Sequence, residues 1–131
     1  MPHIMVANDS PEFLGLMQDL LTDEGYRVSP VASGAGTRDA VKRLLPDLII
    51  LDLRMPDLNG LDVLSVLQLD PKTASIPVLV CTAAVDDVEA QKTAFEARGI
   101  PVLLKPFDLQ ELLQMVRGML GNERRGRKAN S

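Results

Sequence analysis

The sequence predicts an α/β domain: a five-stranded parallel sheet, strand order 2-1-3-4-5, with helices on both faces. Three observations lead there. Short apolar runs alternate five times with stretches whose apolar residues recur every three or four positions. That alternation implies parallel strands joined by right-handed helical crossovers. The apolar runs are nearly continuous, as strands covered on both faces require. The prolines agree with the strand order, because proline cannot donate to a ladder and is confined to edge strands or first positions. Pro30 falls inside the second strand, strands one and three have no interior proline, and Pro77 and Pro101 stand where the fourth and fifth begin.

The elements follow in chain order. Residues 3–7 are an apolar run ending in Asn8-Asp9. Pro11 then opens a helix carrying Phe13, Met17, Leu20 and Leu21 at helical spacing, and Gly25 stops it. Residues 27–31 form a weaker strand, followed by Ser33-Gly34-Ala35-Gly36, which reads as a turn. Ala40, Val41, Leu44 and Leu45 mark a second helix closed by Pro46. Residues 48–51 are a continuous apolar strand ending in Asp52. Asn59-Gly60 supplies turn chemistry before a third helix over 60–69, with Leu61, Leu64 and Leu67 on one stripe. A strand over 78–82 precedes a fourth helix over 86–98. Its apolar positions are sparse, so it is expected to pack less firmly than the others. The strand 102–104 leads to Asp108, which caps a final helix bearing Leu109, Leu112, Leu113, Val116 and Leu120.

Composition narrows the class. A chain of 131 residues, 46% hydrophobic and 24% charged, can bury one core without disulfides or a structural metal. No apolar run is long enough to cross a bilayer, and the N-terminus has no signal-peptide pattern. Cys81 is the only cysteine, so no internal disulfide forms, and a reducing cytoplasm is the expected location. Within its apolar run Cys81 reads as a small buried hydrophobe. The six methionines read as packing, and His3 is assigned no role. From Asn122 onward four basic residues stand against one acid, a surplus of +3 that leaves about −7 on the rest of a chain whose net charge is −4. An acidic body is not a duplex-DNA reader, and no direct DNA binding or membrane contact is expected of it. The division expected is a folded domain over 1–121 and a basic, disordered tail over 122–131.

Ligands of open α/β sheets gather at the carboxyl ends of the strands, near the point where strand order reverses. The residues at those ends form one chemical set. Asn8-Asp9 follow strand one, Asp52 follows strand three, Thr82 ends strand four and Lys105-Pro106 follow strand five. Two carboxylates suit a hard cation such as Mg²⁺, which takes one or two carboxylates with waters and phosphate. A carboxylate can also attack phosphorus and hold an acyl phosphate. Lys105 and Thr82 then supply a charge and a hydroxyl to phosphoryl oxygens.

Asn8-Asp9, Asp52 with Arg54-Met55-Pro56 and Gly60, Thr82-Ala83, and Lys105-Pro106-Phe107 together resemble the signature of response-regulator receiver domains of bacterial two-component systems. The resemblance covers residues 3–120 and implies a flavodoxin-like receiver fold over 1–121. It implies that Asp52 accepts a phosphoryl group from a sensor histidine kinase or a phosphotransfer protein. Asp9, Asp52 and the backbone carbonyl of Arg54 would hold Mg²⁺, with Asn8 reaching it through a water. Lys105 would pair with the phosphoryl group, and its bond to Pro106 would be cis. Thr82 would swing toward the phosphate and draw the following loop with it. Arg54 and Ala84 stand where the family tunes dephosphorylation. Output would pass to a protein target on the face of the fourth helix, fifth strand and final helix, with homodimerisation left open.

Two positions depart from the family pattern. Asn8 replaces the first of two acids, which predicts weaker Mg²⁺ binding. Val102 replaces an aromatic that moves inward with the threonine. Valine is stiff at its one torsion, so the readout is expected to rest on backbone shifts over residues 83–87. Two alternatives stay open: a degenerate receiver that only binds proteins, and an aspartyl-phosphate phosphatase. Against the enzyme, the second acid such phosphatases carry two residues after the nucleophile is here Arg54. The domain is therefore expected to catalyse only its own phosphorylation and dephosphorylation.

Overall fold

The five apolar runs fold into five parallel strands, β1 (His3–Ala7), β2 (Arg27–Val31), β3 (Leu48–Leu51), β4 (Val78–Thr82) and β5 (Val102–Leu104), in the order β2-β1-β3-β4-β5. The computed structural model describes residues 1–57 and 59–121, and for residues 122–129 the backbone of the last helix alone. The tail expected over 122–131 falls outside the fully described residues. Pro30 sits on the edge strand β2, opposite Val6. Pro77 and Pro101 lie just before β4 and β5, where their carbonyls accept from Ile49 and Val80 at 3.0 Å each.

Six helices cover the sheet: α1 (Pro11–Asp23), α2 (Gly34–Leu44), α3 (Gly60–Leu69), α4 (Val85–Ala90), α5 (Lys92–Arg98) and α6 (Leu109–Ala129). Alternate strand residues point to opposite faces, and the core accordingly divides in two. Ile4, Val6, Leu48, Ile50, Leu79 and Leu103 meet Met17 and Leu21 of α1 and Leu112, Leu113 and Val116 of α6. Met5, Ile49, Leu51, Val78 and Val80 meet Val41 of α2, Val63 and Leu67 of α3, and Phe95 of α5. Each fully buried aliphatic side chain contributes about 1.5–3 kcal/mol relative to its exposed state.

Three local expectations are corrected. Residues Gly34, Ala35 and Gly36 are not a turn but the first turn of α2. Their N–H groups have no partner within the helix, and two carboxylate oxygens and a hydroxyl supply one each. Asp57 accepts from Gly34 (2.8 Å) and Ala35 (3.1 Å), and Ser33 Oγ accepts from Gly36 (3.0 Å). Of the four apolar residues that mark the second helix, Leu44 and Leu45 are exposed, and Leu45 lies past the last helical residue in a left-handed conformation, φ 47°, just before Pro46. The helix read over 86–98 is two, broken at Gln91 (φ −107°, ψ 9°). Neither half has a side-chain cap at its N-terminus, and α4 has no buried residue. A sequence with so few apolar anchors does not hold one continuous helix on the sheet.

His3 has a structural place that the sequence did not suggest. Its ring Nε2 shares a hydrogen bond with Ser29 Oγ at 2.6 Å, and its backbone N–H donates to Asp47 Oδ2 at 2.7 Å. Burial, with a smaller push from Arg27, lowers its pKa below the ordinary histidine value, against a partial counter-effect of Asp47. Cys81 is buried, and burial pushes its thiol up to about 12, with a nearby Asp52 raising and Lys105 lowering it. A protonated, enclosed thiol fits the packing role read from the sequence. Among the described residues, no helix is long and apolar enough to cross a membrane.

Candidate functional site

The parallel ladder brings the strand ends to one level. Just past β3, the Asp52 N–H donates to Ala7 O at the end of β1 (3.0 Å), and the Lys105 N–H donates to Thr82 O at the end of β4 (2.9 Å). Asn8, Asp52, Thr82 and Lys105 therefore emerge side by side above the sheet, where the order of strands reverses.

The loop after β3 is fixed at three points. Met55 is buried in the core, Asp57 holds the start of α2, and Gly60 presses on the backbone of Asp52 and Leu53. A Cβ at residue 60 would collide with the Asp52 carbonyl oxygen and stand 2.7 Å from Leu53 Cα, so only glycine fits. The Gly60 N–H donates to Leu53 O at 2.8 Å, and Asn59 caps α3 through Leu61.

The Asp52 carboxylate, almost enclosed, accepts from four donors. Oδ1 takes the Thr82 hydroxyl at 2.8 Å and the Arg54 N–H at 3.2 Å. Oδ2 takes the Asn8 amide at 3.2 Å and the Lys105 ammonium at 3.4 Å. The Lys105–Pro106 peptide is cis. Beside this carboxylate opens a cleft of ≈ 320 Å³ lined by Asp9, Asp52, Arg54, Thr82, Ala83 and Ala84. Asp9 is exposed in it.

The site residues singled out from the sequence, Asn8, Asp9, Asp52, Arg54, Thr82 and Lys105, lie at this place. Asn8 was expected to offer its carbonyl oxygen to a metal-bound water. That oxygen accepts the Ser10 N–H at 2.9 Å, which leaves it one lone pair and turns the NH₂ toward Asp52, so Asn8 is also a donor to that carboxylate. Thr82 was expected to swing toward a phosphate on Asp52. Its buried hydroxyl is already on Asp52 and also accepts the Ala84 N–H at 3.2 Å.

The donor set still suits Mg²⁺. Asp9 and Asp52 contribute two hard carboxylates to one open cleft, and magnesium needs no more protein ligands when waters and phosphate complete its shell. No third His, Cys, Asp or Glu joins them among the described residues. Sequence reasoning missed two neighbours. Asp87 on α4 pairs with Arg54 at 3.2 Å. Phe13 on α1 lies against Lys105. Asp87 was hidden among the adjacent acids of an irregular helix, and Phe13 looked like an ordinary core position.

A doubly wound sheet with an aspartate at the switch point, a lysine and a hydroxyl beside it, and an acidic cleft defines the class of two-component receiver modules. The chain belongs to the response regulator receiver domain family, whose model matches residues 4–117. It is 36% identical over 120 residues to the DNA-binding dual master transcriptional regulator RpaA of Synechocystis sp., covering 92% of this chain and 49% of that protein. The chain spans about half the length of the curated relatives it matches. The non-phosphorylated HemR receiver domain from Leptospira biflexa aligns with a TM-score of 0.81 at 26% identity, over 92% of this chain and 94% of that one. The receiver domain of the sensor histidine kinase PA1611 from Pseudomonas aeruginosa, with magnesium coordinated in its active site cleft, gives 0.79 at 25% identity, over 92% and 98%.

Proposed function

We propose that the domain is a phosphoacceptor switch in which Asp52 takes a phosphoryl group from a sensor histidine kinase or phosphotransfer protein. The observation that carries this reading is the Asp52 carboxylate itself, surrounded by an ammonium, a hydroxyl and two N–H donors at the edge of a cleft shared with Asp9. In the transfer, an Asp52 oxygen attacks phosphorus. An O–P bond forms as the donor's N–P bond breaks, and the departing imidazole takes up a proton. Lys105 and Thr82 pass from the carboxylate to the phosphoryl oxygens, where negative charge gathers. Asp9, Asp52 and the Arg54 carbonyl would hold Mg²⁺, which would supply neutralisation of part of that charge. Arg54 and Ala84 flank the path of a hydrolytic water.

The signal then passes to a protein target through the face of α4, β5 and α6, a face open to a second copy as well. The domain resides in the cytoplasm, consistent with its single buried thiol, and turns over no substrate beyond its own phosphoryl group. The acidic body of residues 1–121 argues against direct DNA contact, although RpaA, about twice as long, is a DNA-binding regulator. Asn8 in place of an acid and Val102 in place of an aromatic favour one rival, a degenerate receiver that binds partners without phosphorylation.

Incubation with acetyl phosphate and Mg²⁺, followed by intact-mass measurement, separates the readings. A phosphate adduct on wild type and none on Asp52→Asn is expected. No adduct on wild type supports the binding module, and turnover of unrelated phosphate esters supports a phosphatase.

A further inference from the structure

Lys105 is held from two sides. Its Nζ is 3.4 Å from Asp52 Oδ2 and 4.3 Å from the centroid of the Phe13 ring. Phe13 stands in the first turn of α1, its N–H bonded to Ser10 Oγ at 3.2 Å. Its ring meets Phe107 edge-on, with centroids 6.4 Å apart and planes at 81°. Phe107 follows Lys105 by two residues, so the ring pair joins α1 to the segment after β5. The chain has three phenylalanines, and two of them are spent here. Filling this space asks only for an aliphatic side chain. An ammonium above the ring face meets the negative side of the ring's quadrupole, a placement that serves a cation.

We infer that Phe13 is a positioning residue for phosphoryl transfer: its ring face holds the Lys105 ammonium at Asp52, and the Phe107 ring holds Phe13. The inference rests on the phosphoacceptor reading. A lysine stem is flexible and its charge strongly hydrated. The ring selects the rotamer that points at the acceptor, so less ordering remains when a phosphoryl group arrives. A carboxylate in the same place would compete with the phosphoryl group for the cation. A neutral ring does not, and it leaves the ammonium N–H groups available to phosphoryl oxygens.

The test combines NMR of the Lys105 side chain with labelling by acetyl phosphate at saturating Mg²⁺. In wild type and Phe13→Tyr the Lys105 Hε protons are expected upfield of ordinary lysine, under the ring current. In Phe13→Leu they return to the ordinary position. Labelling of Phe13→Leu is expected to be roughly three- to tenfold slower, the rate equivalent of a partly exposed cation–π contact, with Phe13→Tyr near wild type. Equal rates for Phe13→Leu and wild type overturn the inference. So does an ordinary Lys105 Hε shift in wild type, which decides the matter even if Phe13→Leu does not fold. An unlabelled wild type overturns the phosphoacceptor reading itself, and the ring contact then has no transfer to serve.

Discussion

The layer of α1 and α6 buries Met17, Leu21, Leu112, Leu113, Val116 and Leu120 against one face of the sheet. The opposite layer starts well with α2 and α3 but thins toward the far edge, where α4 has no fully buried residue and α5 contributes Phe95. The residues around Asp52 divide along the same line. Lys105 leans on Phe13 of the firm layer. Thr82 leads directly into Ala84 and α4, and Arg54 reaches across to Asp87 on that helix at 3.2 Å. An exposed ion pair of this kind stabilises by at most about 1 kcal/mol. Asp52 is thus backed on one side by a firmly packed layer and joined on the other to a lightly packed segment. With Val102 in place of an aromatic, the proposed readout is expected to rest on that segment.

The comparison breaks most visibly in stability. Leu112→Ala in α6 is expected to cost about 2–5 kcal/mol in urea unfolding, since the side chain is fully enclosed. Val88→Ala in α4 is expected to cost about 1 kcal/mol or less, because its methyls are only partly buried. Equal losses would abolish the distinction between the layers.

A smaller effect is expected at the metal. Asn8→Asp replaces a donor to Asp52 with a third carboxylate. Calorimetric titration with Mg²⁺ should show affinity raised at least roughly fivefold, since even two unit charges ~4 Å apart attract by about 1 kcal/mol at the dielectric of water. Unchanged affinity would mean that the Asn8 amide does not limit the metal site.

The alternation of strands and helices, the strand order and the residues above the sheet were legible because each rests on a short-range rule. Apolar runs define strands, prolines mark edges, and strand ends define the cleft. The start of α2 was not legible, since its first turn is capped by Asp57 from a loop 22 residues away. The sense of the Asn8 amide was set by the Ser10 backbone, and the site of Phe13 by a lysine far along the chain. These are tertiary choices that periodicity does not encode. The break at Gln91 was foreshadowed only by the scarcity of apolar anchors around it.

The smallest effect expected is in pH dependence. Because the folded state lowers the His3 pKa, the unfolded chain binds the proton more readily. Stability contributed by neutral His3 is present above the unfolded value of about 6.5 and is lost as pH falls through and below it. Urea midpoints measured across that range should fall less steeply for His3→Gln than for wild type. An identical slope would remove His3 from the account. This effect belongs to the β1–β2 edge, away from both the acceptor and α4.

The central claim is that a phosphoryl group on Asp52 is read out through the lightly held side. Amide hydrogen exchange, followed by mass spectrometry with and without acetyl phosphate and Mg²⁺, tests it directly, with Asp52→Asn as control. The account predicts altered exchange in wild type concentrated over residues 83–91, little change in α1, and none in the variant. Changes centred on α1, or equal changes in Asp52→Asn, would contradict it.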